Sequence, residues 1–183
     1  LANPTEFGGQ GLPFTLSKVI GEMNCAANVG FELYVGLTQD CFEAIAACGS
    51  EEQKKTYCPK LATGEWTGTM CMTEPAAGSD AAGIQSRAVK DGNDYIVTGS
   101  KCFITNGAWA TWYTAFATVD PALGHKGIIA FIVDRDAPGV SVGKTEDKLG
   151  QRASNTAVVN LDEVRVSADQ VLAEAGHGFK LAM

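Results

Sequence analysis

Several things are scarce in this sequence of 183 residues, and each scarcity removes a class of function. No run approaches the length of a membrane span. Positive charge is in deficit, with 14 Lys and Arg against 21 Asp and Glu and a net charge of −7. That balance argues against nucleic acid as the main partner, because holding phosphates needs basic patches. A local basic pocket for one phosphorylated cofactor stays compatible with it. Histidine is reduced to His125 and His177, far apart in the chain, and the six cysteines (Cys25, Cys41, Cys48, Cys58, Cys71 and Cys102) form no Cys-x-x-Cys pair. Zinc ligation therefore has no support, and the irregular cysteine spacing does not read as a disulfide framework. The thiols read as buried and free, in a reducing compartment: the cytoplasm, or the mitochondrial matrix in a eukaryote. No Gly-x-Gly-x-x-Gly follows a strand and opens a helix, so a Rossmann-type dinucleotide fold is not indicated. Internal repeats and low-complexity tracts are absent.

What is present divides into a helical part and a strand part. Residues 3–13 carry two prolines and three glycines and read as a loop, with Pro13 suited to a first helical position. Leu16, Val19, Ile20 and Met23 then recur at helical spacing, which predicts a helix with an apolar stripe. A second helix is expected from Tyr34 or Leu37 to Cys48, with Gly49 closing it. Ser50-Glu51-Glu52-Gln53 has the form of a capping box and predicts a third helix that turns Tyr57 and Leu61 inward and ends at Gly64.

From Trp66 the period changes to two. Asp91-Gly92-Asn93 is a turn signal between strands at about 84–90 and 94–98, and Gly99-Ser100 reads as a second break. Further short strands are expected at 101–105, 112–119, 127–133, 140–144 and 157–166. Closely spaced short strands predict an antiparallel barrel or sandwich, so the fold class is α+β: a helical segment followed by an antiparallel β-domain. The division expected is 1–65 helical, 66–168 β, and 169–183 the start of a second helical domain. Both ends read as internal to a longer chain.

The join between the two parts is Met70-Cys71-Met72-Thr73-Glu74-Pro75-Ala76-Ala77-Gly78-Ser79-Asp80. Pro75 stops the strand. The small residues after it let another body lie close to the backbone, while Thr73, Ser79 and free N–H groups suit carbonyl or phosphate oxygens. Spacing alone is equally consistent with a strand-ending turn capped by Ser79 or Asp80. Likewise Phe103, taken by itself, reads as a core aromatic.

Four segments carry a resemblance: Glu6-Phe7-Gly8-Gly9-Gln10-Gly11, Met72-Thr73-Glu74-Pro75-Ala76-Ala77-Gly78-Ser79-Asp80, Gly99-Ser100-Lys101-Cys102-Phe103-Ile104-Thr105-Asn106-Gly107 and Leu149-Gly150-Gln151-Arg152-Ala153-Ser154. Together, and in this order, they resemble the acyl-CoA dehydrogenases, flavoproteins of fatty acid β-oxidation with a helical N-terminal domain, a middle β-domain and a C-terminal helical bundle. The resemblance implies FAD as cofactor, with Met70, Met72, Thr73, Gly78, Ser79, Phe103, Ile104 and Thr105 along it. It implies an acyl-CoA substrate touched by Ser79 and, in the loop 120–126, by His125. The reaction implied is α,β-dehydrogenation: a base takes the α-proton while a hydride passes from the β-carbon to flavin N5. Electrons would go to an electron-transfer flavoprotein, and the protein would be a homo-oligomer, a tetramer or dimer. The family's catalytic glutamate belongs to the bundle beyond Met183, so no residue here is assigned as catalytic base, and this piece alone is expected to bind FAD weakly without turnover. Glu74 is expected to serve local hydrogen bonding, Arg152 to fix the loop around Gly150, and Trp109 and Trp112 to pack. The same scaffold is shared by acyl-CoA oxidases, nitroalkane oxidases and flavin monooxygenases, and a non-enzymatic β-rich binding module remains a further alternative.

Overall fold

The computed structural model describes residues 2–183. Residues 3–13 are tighter than a plain loop, with a single 3₁₀ turn at Thr5–Phe7 that is held by Gly11 N–H bonding back to the Asn3 carbonyl. The first helix, α1 (Phe14–Cys48), is broken at Asn28, whose φ of −161° and ψ of 94° are extended rather than helical. Asn28 Oδ1 accepts the Phe31 N–H at 3.2 Å and so caps the second arm. The two helices expected from periodicity are thus two arms of α1, and the second begins earlier than its weak periodicity suggested.

The stripe of the first arm is not core. Leu16, Val19 and Met23 are exposed, as are Phe14 at the start of the helix and Phe31 and Val35 after the kink. Helical spacing shaped this arm, but among the described residues no layer covers its apolar side. The second arm does reach the core through Cys41, Phe42, Ala44 and Ile45. Gly49 ends it in extended backbone rather than as a left-handed cap. A Cβ there would stand 2.6 Å from the Ile45 carbonyl, so the close approach explains the glycine.

Helix α2 (Glu51–Thr63) starts on the capping box as expected. Gln53 N–H bonds Ser50 Oγ at 3.2 Å, and Ser50 N–H bonds Gln53 Oε1 at 2.9 Å. Its end is Gly64 in the left-handed region, φ 77°. Leu61 is buried, while Tyr57 is half-buried with its ring against those of Trp66 and Trp112.

Eight strands follow: β1 (Gly68–Cys71), β2 (Arg87–Asp91), β3 (Asp94–Thr105), β4 (Trp112–Thr118), β5 (Ile128–Asp134), β6 (Val140–Thr145), β7 (Thr156–Val166) and β8 (Val171–Ala173). The sheet order is β6-β7-β3-β2-β4-β5-β8, with β1 beside β4. The expectation of a purely antiparallel sheet needs correction, because β1–β4 and β2–β4 are parallel pairs. The cause is topological: β1 arrives from the helical side and joins β4 only after a long excursion through β2 and β3. Gly99-Ser100 is no break either, since β3 runs through it. Gly99 is there because a Cβ would lie 2.0 Å from Ser86 Oγ.

β4 explains how helices and sheet form one body. All seven of its residues are buried. Tyr113, Ala115 and Ala117 face the interior of the sheet with Val97, Phe131 and Val159. Trp112 and Phe116 face the other way, into a second core with Ile45, Cys58, Leu61 and Ile132. A strand covered on both sides needs a continuous apolar run, which Trp112–Thr118 supplies. Gln53 ties the layers again, donating to the carbonyls of Asp169 at 2.8 Å and Val171 at 3.1 Å. The short α3 (Gly178–Ala182) follows His177.

Candidate functional site

The segment after β1 closes into a tight hairpin. Glu74 and Ala77 exchange both backbone hydrogen bonds, at 3.0 and 3.1 Å, around Pro75 and Ala76. Just before the hairpin, the Thr73 carbonyl accepts the Cys102 N–H of β3 at 2.9 Å. Four residues upstream, Thr69 Oγ1 donates to the Thr105 carbonyl. The segments 69–73 and 102–105 therefore run side by side in opposite directions and form one edge, with Thr73 beside Cys102 and Thr105 beside Thr69.

A bulge orients β3 at this edge. Its inward positions are Tyr95, Val97 and Lys101, spaced by two with Gly99 between, but the next is Ile104, after a gap of three. The register against β7 shifts between Lys101 and Ile104, and Phe103 sits at φ 56°, in the left-handed region. That conformation costs a non-glycine residue about 1–2 kcal/mol. Its effect is to turn the ring outward, so Phe103 is 65% exposed and not the core aromatic that its type suggests. The Ile104 side chain is in the core, so what Ile104 offers a ligand is its backbone. Met70 and Met72 pack against the core beneath the helices. Met70 also lines a concavity of about 680 Å³ between the second arm of α1 and α3.

The same edge has unspent hydrogen-bonding capacity. Among the described residues, the N–H groups of Met72 and Thr73 and the hydroxyls of Thr73, Ser79 and Thr105 have no partner within the chain. Gly78 is informative as well. Its φ is not positive, and an added Cβ would meet no atom of the chain. Neither backbone geometry nor internal packing asks for glycine there, whereas a body lying against that backbone from outside would. Ser79 is exposed, and the 3₁₀ turn after it (Ala81–Gly83) packs on the one at Pro121–Gly127 that carries His125. His125 is exposed with its ring 5.8 Å from that of Phe179.

Beneath the edge lies a group that motif reading left without a role. Lys101 is fully buried, and Nζ donates to Glu74 Oε1 at 2.6 Å, to the Phe116 carbonyl at 2.6 Å and to the Met72 carbonyl at 3.3 Å. Glu74 also accepts the N–H groups of Gln85 at 2.6 Å and Ser86 at 3.1 Å. Burial pushes the Glu74 carboxyl up, but Lys101 and these amides outweigh it and hold the carboxyl below the usual carboxylate range. Every lone-pair direction of Glu74 that matters is taken, so it has the local role expected and is not free to move a substrate proton. The signal for Lys101 was available: period two from Tyr95 and Val97 points it inward, where a lysine needs a partner.

Arg152 Nε bonds the Lys148 carbonyl at 2.8 Å across Gly150, as expected. Asn106, the other residue left without a role, is fully buried at φ 61°, and Nδ2 bonds the Tyr34 carbonyl of α1 at 2.9 Å. The six thiols are all free, but the expectation that they are buried holds only for Cys41, Cys58 and Cys71, since Cys25 and Cys48 are exposed on α1; burial pushes Cys41 up to about 12 and Cys58 to about 11. Such thiols are unreactive packing groups.

A strand edge with idle amides and hydroxyls, an outward aromatic and an unencumbered glycine has the donors and the open face that a planar, polar heterocycle would need. Comparison with known proteins gives that class a family. The acyl-CoA dehydrogenase middle domain matches residues 69–164, and the acyl-CoA dehydrogenase N-terminal domain matches residues 1–65. A probable acyl-CoA dehydrogenase of Mycobacterium leprae is 39% identical over 180 residues, 98% of this chain and 46% of the relative. Among solved structures, the acyl-CoA dehydrogenase of Geobacillus kaustophilus superposes with a TM-score of 0.93 at 39% identity, covering 100% of this chain and 48% of that one. A chain from a study of the electron transferring flavoprotein of Acidaminococcus fermentans superposes with a TM-score of 0.96 at 38% identity, again covering 100% of this chain and 48% of that one. The chain belongs to the acyl-CoA dehydrogenase family, and it spans about half the length of the relatives it matches.

Proposed function

We propose that this chain forms one wall of the flavin site of an FAD-dependent acyl-CoA dehydrogenase that introduces an α,β double bond into an acyl-CoA thioester. The observation that carries the reading is the edge formed by 69–73 and 102–105, with donors unspent along it and Gly78, a few residues on, free of contacts. These residues fit FAD. The N–H groups of Met72 and Thr73 would donate to the carbonyl and nitrogen edge of the ring. The hydroxyls of Thr73 and Thr105 would do the same from the side, Phe103 would cover one rim, and Ser79 would face the phosphate region. FAD, when bound, supplies the hydride acceptor.

The residues of this chain hold and orient; none of them is the base. Glu74 is occupied by Lys101, Gln85 and Ser86. No other carboxylate of this chain is assigned the role of base. Ser79, just before the 3₁₀ turn Ala81–Gly83, and His125, on the 3₁₀ turn packed against it, would meet the acyl-CoA. Electrons would leave to an electron-transfer flavoprotein, in keeping with the structural relative from the study of such a protein, and the intact protein would be a homo-oligomer.

The test is turnover of the intact protein with acyl-CoA substrates, following both acceptor reduction and peroxide. Acceptor-dependent oxidation with little peroxide is expected. Peroxide formed stoichiometrically with product would instead make it an oxidase, and absence of any flavin spectrum would refute the reading altogether.

A further inference from the structure

We infer that the buried Lys101–Glu74 ion pair is a positioning device, one that aims the Thr73 amide at the cofactor; this rests on the flavin reading above. The geometry begins with the planarity of a peptide unit. In a trans peptide the C=O of one residue and the N–H of the next point in opposite directions. The Met72 carbonyl is drawn inward, where Lys101 Nζ donates to it at 3.3 Å. The Thr73 N–H, in the same peptide unit, is therefore turned outward, and it is one of the two idle amides at the edge. The next unit is fixed as well, because the Thr73 carbonyl accepts the Cys102 N–H at 2.9 Å.

The ammonium can do this only if it is itself held. It has three protons and three acceptors: the Met72 carbonyl, the Phe116 carbonyl of β4 and Glu74 Oε1. Glu74 in turn is anchored by the amides of Gln85 and Ser86, at the approach to β2. The end of β1, β3, β4 and the approach to β2 thus converge on one charge pair with no solvent exposure at Lys101. An apolar pair of similar volume would fill the space with no charge to desolvate. It could not direct a carbonyl. Lys101 and Glu74 are thus positioning residues and not catalytic ones.

The experiment compares the intact holoprotein with Lys101→Met and with the double variant Glu74→Gln/Lys101→Met. The single variant leaves a buried carboxylate unpaired and is expected to lose thermal stability. The double variant removes both charges and is expected to recover most of that loss. Its FAD dissociation constant should nevertheless stay at least tenfold raised, and its visible flavin band should stay displaced from that of the wild type, because the Met72 carbonyl has lost its donor. A double variant with wild-type affinity and spectrum would overturn the inference. So would a double variant as unstable as the single one, since the pair would then be a requirement of folding. Should the wild-type protein itself carry no flavin, the functional reading fails first, and the two failures are told apart by that control.

Discussion

At the residue scale, Glu74 shows how one side chain is diverted from the chemistry its type suggests. A carboxylate next to the proposed flavin wall is a natural candidate for a base, yet the Lys101 ammonium and two amides consume it. The pH dependence follows from the sign of its shift. A carboxyl held below its ordinary value of 4.5 in the folded state adds stability above 4.5, and that stability is lost as pH falls through the folded value. Asp40 works in the opposite sense, since burial and the nearby Glu43 raise its pKa and so favour the folded state in acid. Chemical denaturation of the intact protein should therefore show unfolding free energy dropping as pH is lowered below 4.5, with a shallower drop in Glu74→Gln. Equal slopes in the two proteins would show that Glu74 does not carry the effect. Removing one partner of such a buried pair typically costs about 3–5 kcal/mol, so Glu74→Gln should also be less stable than wild type at neutral pH.

At the scale of elements, strand β3 carries the largest local distortion at the site. Phe103 holds a left-handed backbone while leaving its ring 65% exposed, so the ring contributes little to the core. Phe103→Gly should leave the stability of the intact protein unchanged or raise it by up to about 1 kcal/mol, as relief of strain offsets the added freedom of glycine in the unfolded chain. It should weaken flavin binding at the same time. A loss of more than about 1 kcal/mol in denaturation would show that the ring packs and that the strain account is wrong. Elements of this kind also show what can be read from sequence. The capping box at Ser50 and Gln53, the turn at Asp91-Gly92-Asn93 and the left-handed cap at Gly64 are local, and each is where the residues indicate. Gly99 misleads because it serves a close approach to Ser86, on another segment, while Gly49 misleads because the helix-closing glycine is in extended backbone and is required by the Ile45 carbonyl one turn back. The bulge at Cys102–Phe103 and the parallel pairing of β1 with β4 depend on partners dozens of residues away.

At the scale of the whole molecule, two cores share one strand, β4, and the proposed flavin wall lies along the edge where the end of β1 meets β3. That layout made the fold class readable, since the period of apolar residues changes from helical to two at Trp66. The site was readable only in outline. Thr73, Ser79, Phe103 and Thr105 stand out through their motifs; period two points Lys101 inward, but the acceptors of Lys101 and the Tyr34 carbonyl that Asn106 bonds lie on other elements and are seen only in the fold. The exposed apolar side of the first arm of α1, with Leu16, Val19 and Met23, is the converse case: the pattern is plain and the described residues do not bury it. The central claim is that the edge formed by residues 69–73 and 102–105 is a flavin wall. The most direct test is an experimental structure of the intact protein with its bound cofactor. The account predicts an isoalloxazine ring within hydrogen-bonding distance of the Met72 and Thr73 amides and the Thr105 hydroxyl, with Phe103 at its rim; a flavin bound elsewhere, with those amides facing water, would contradict it.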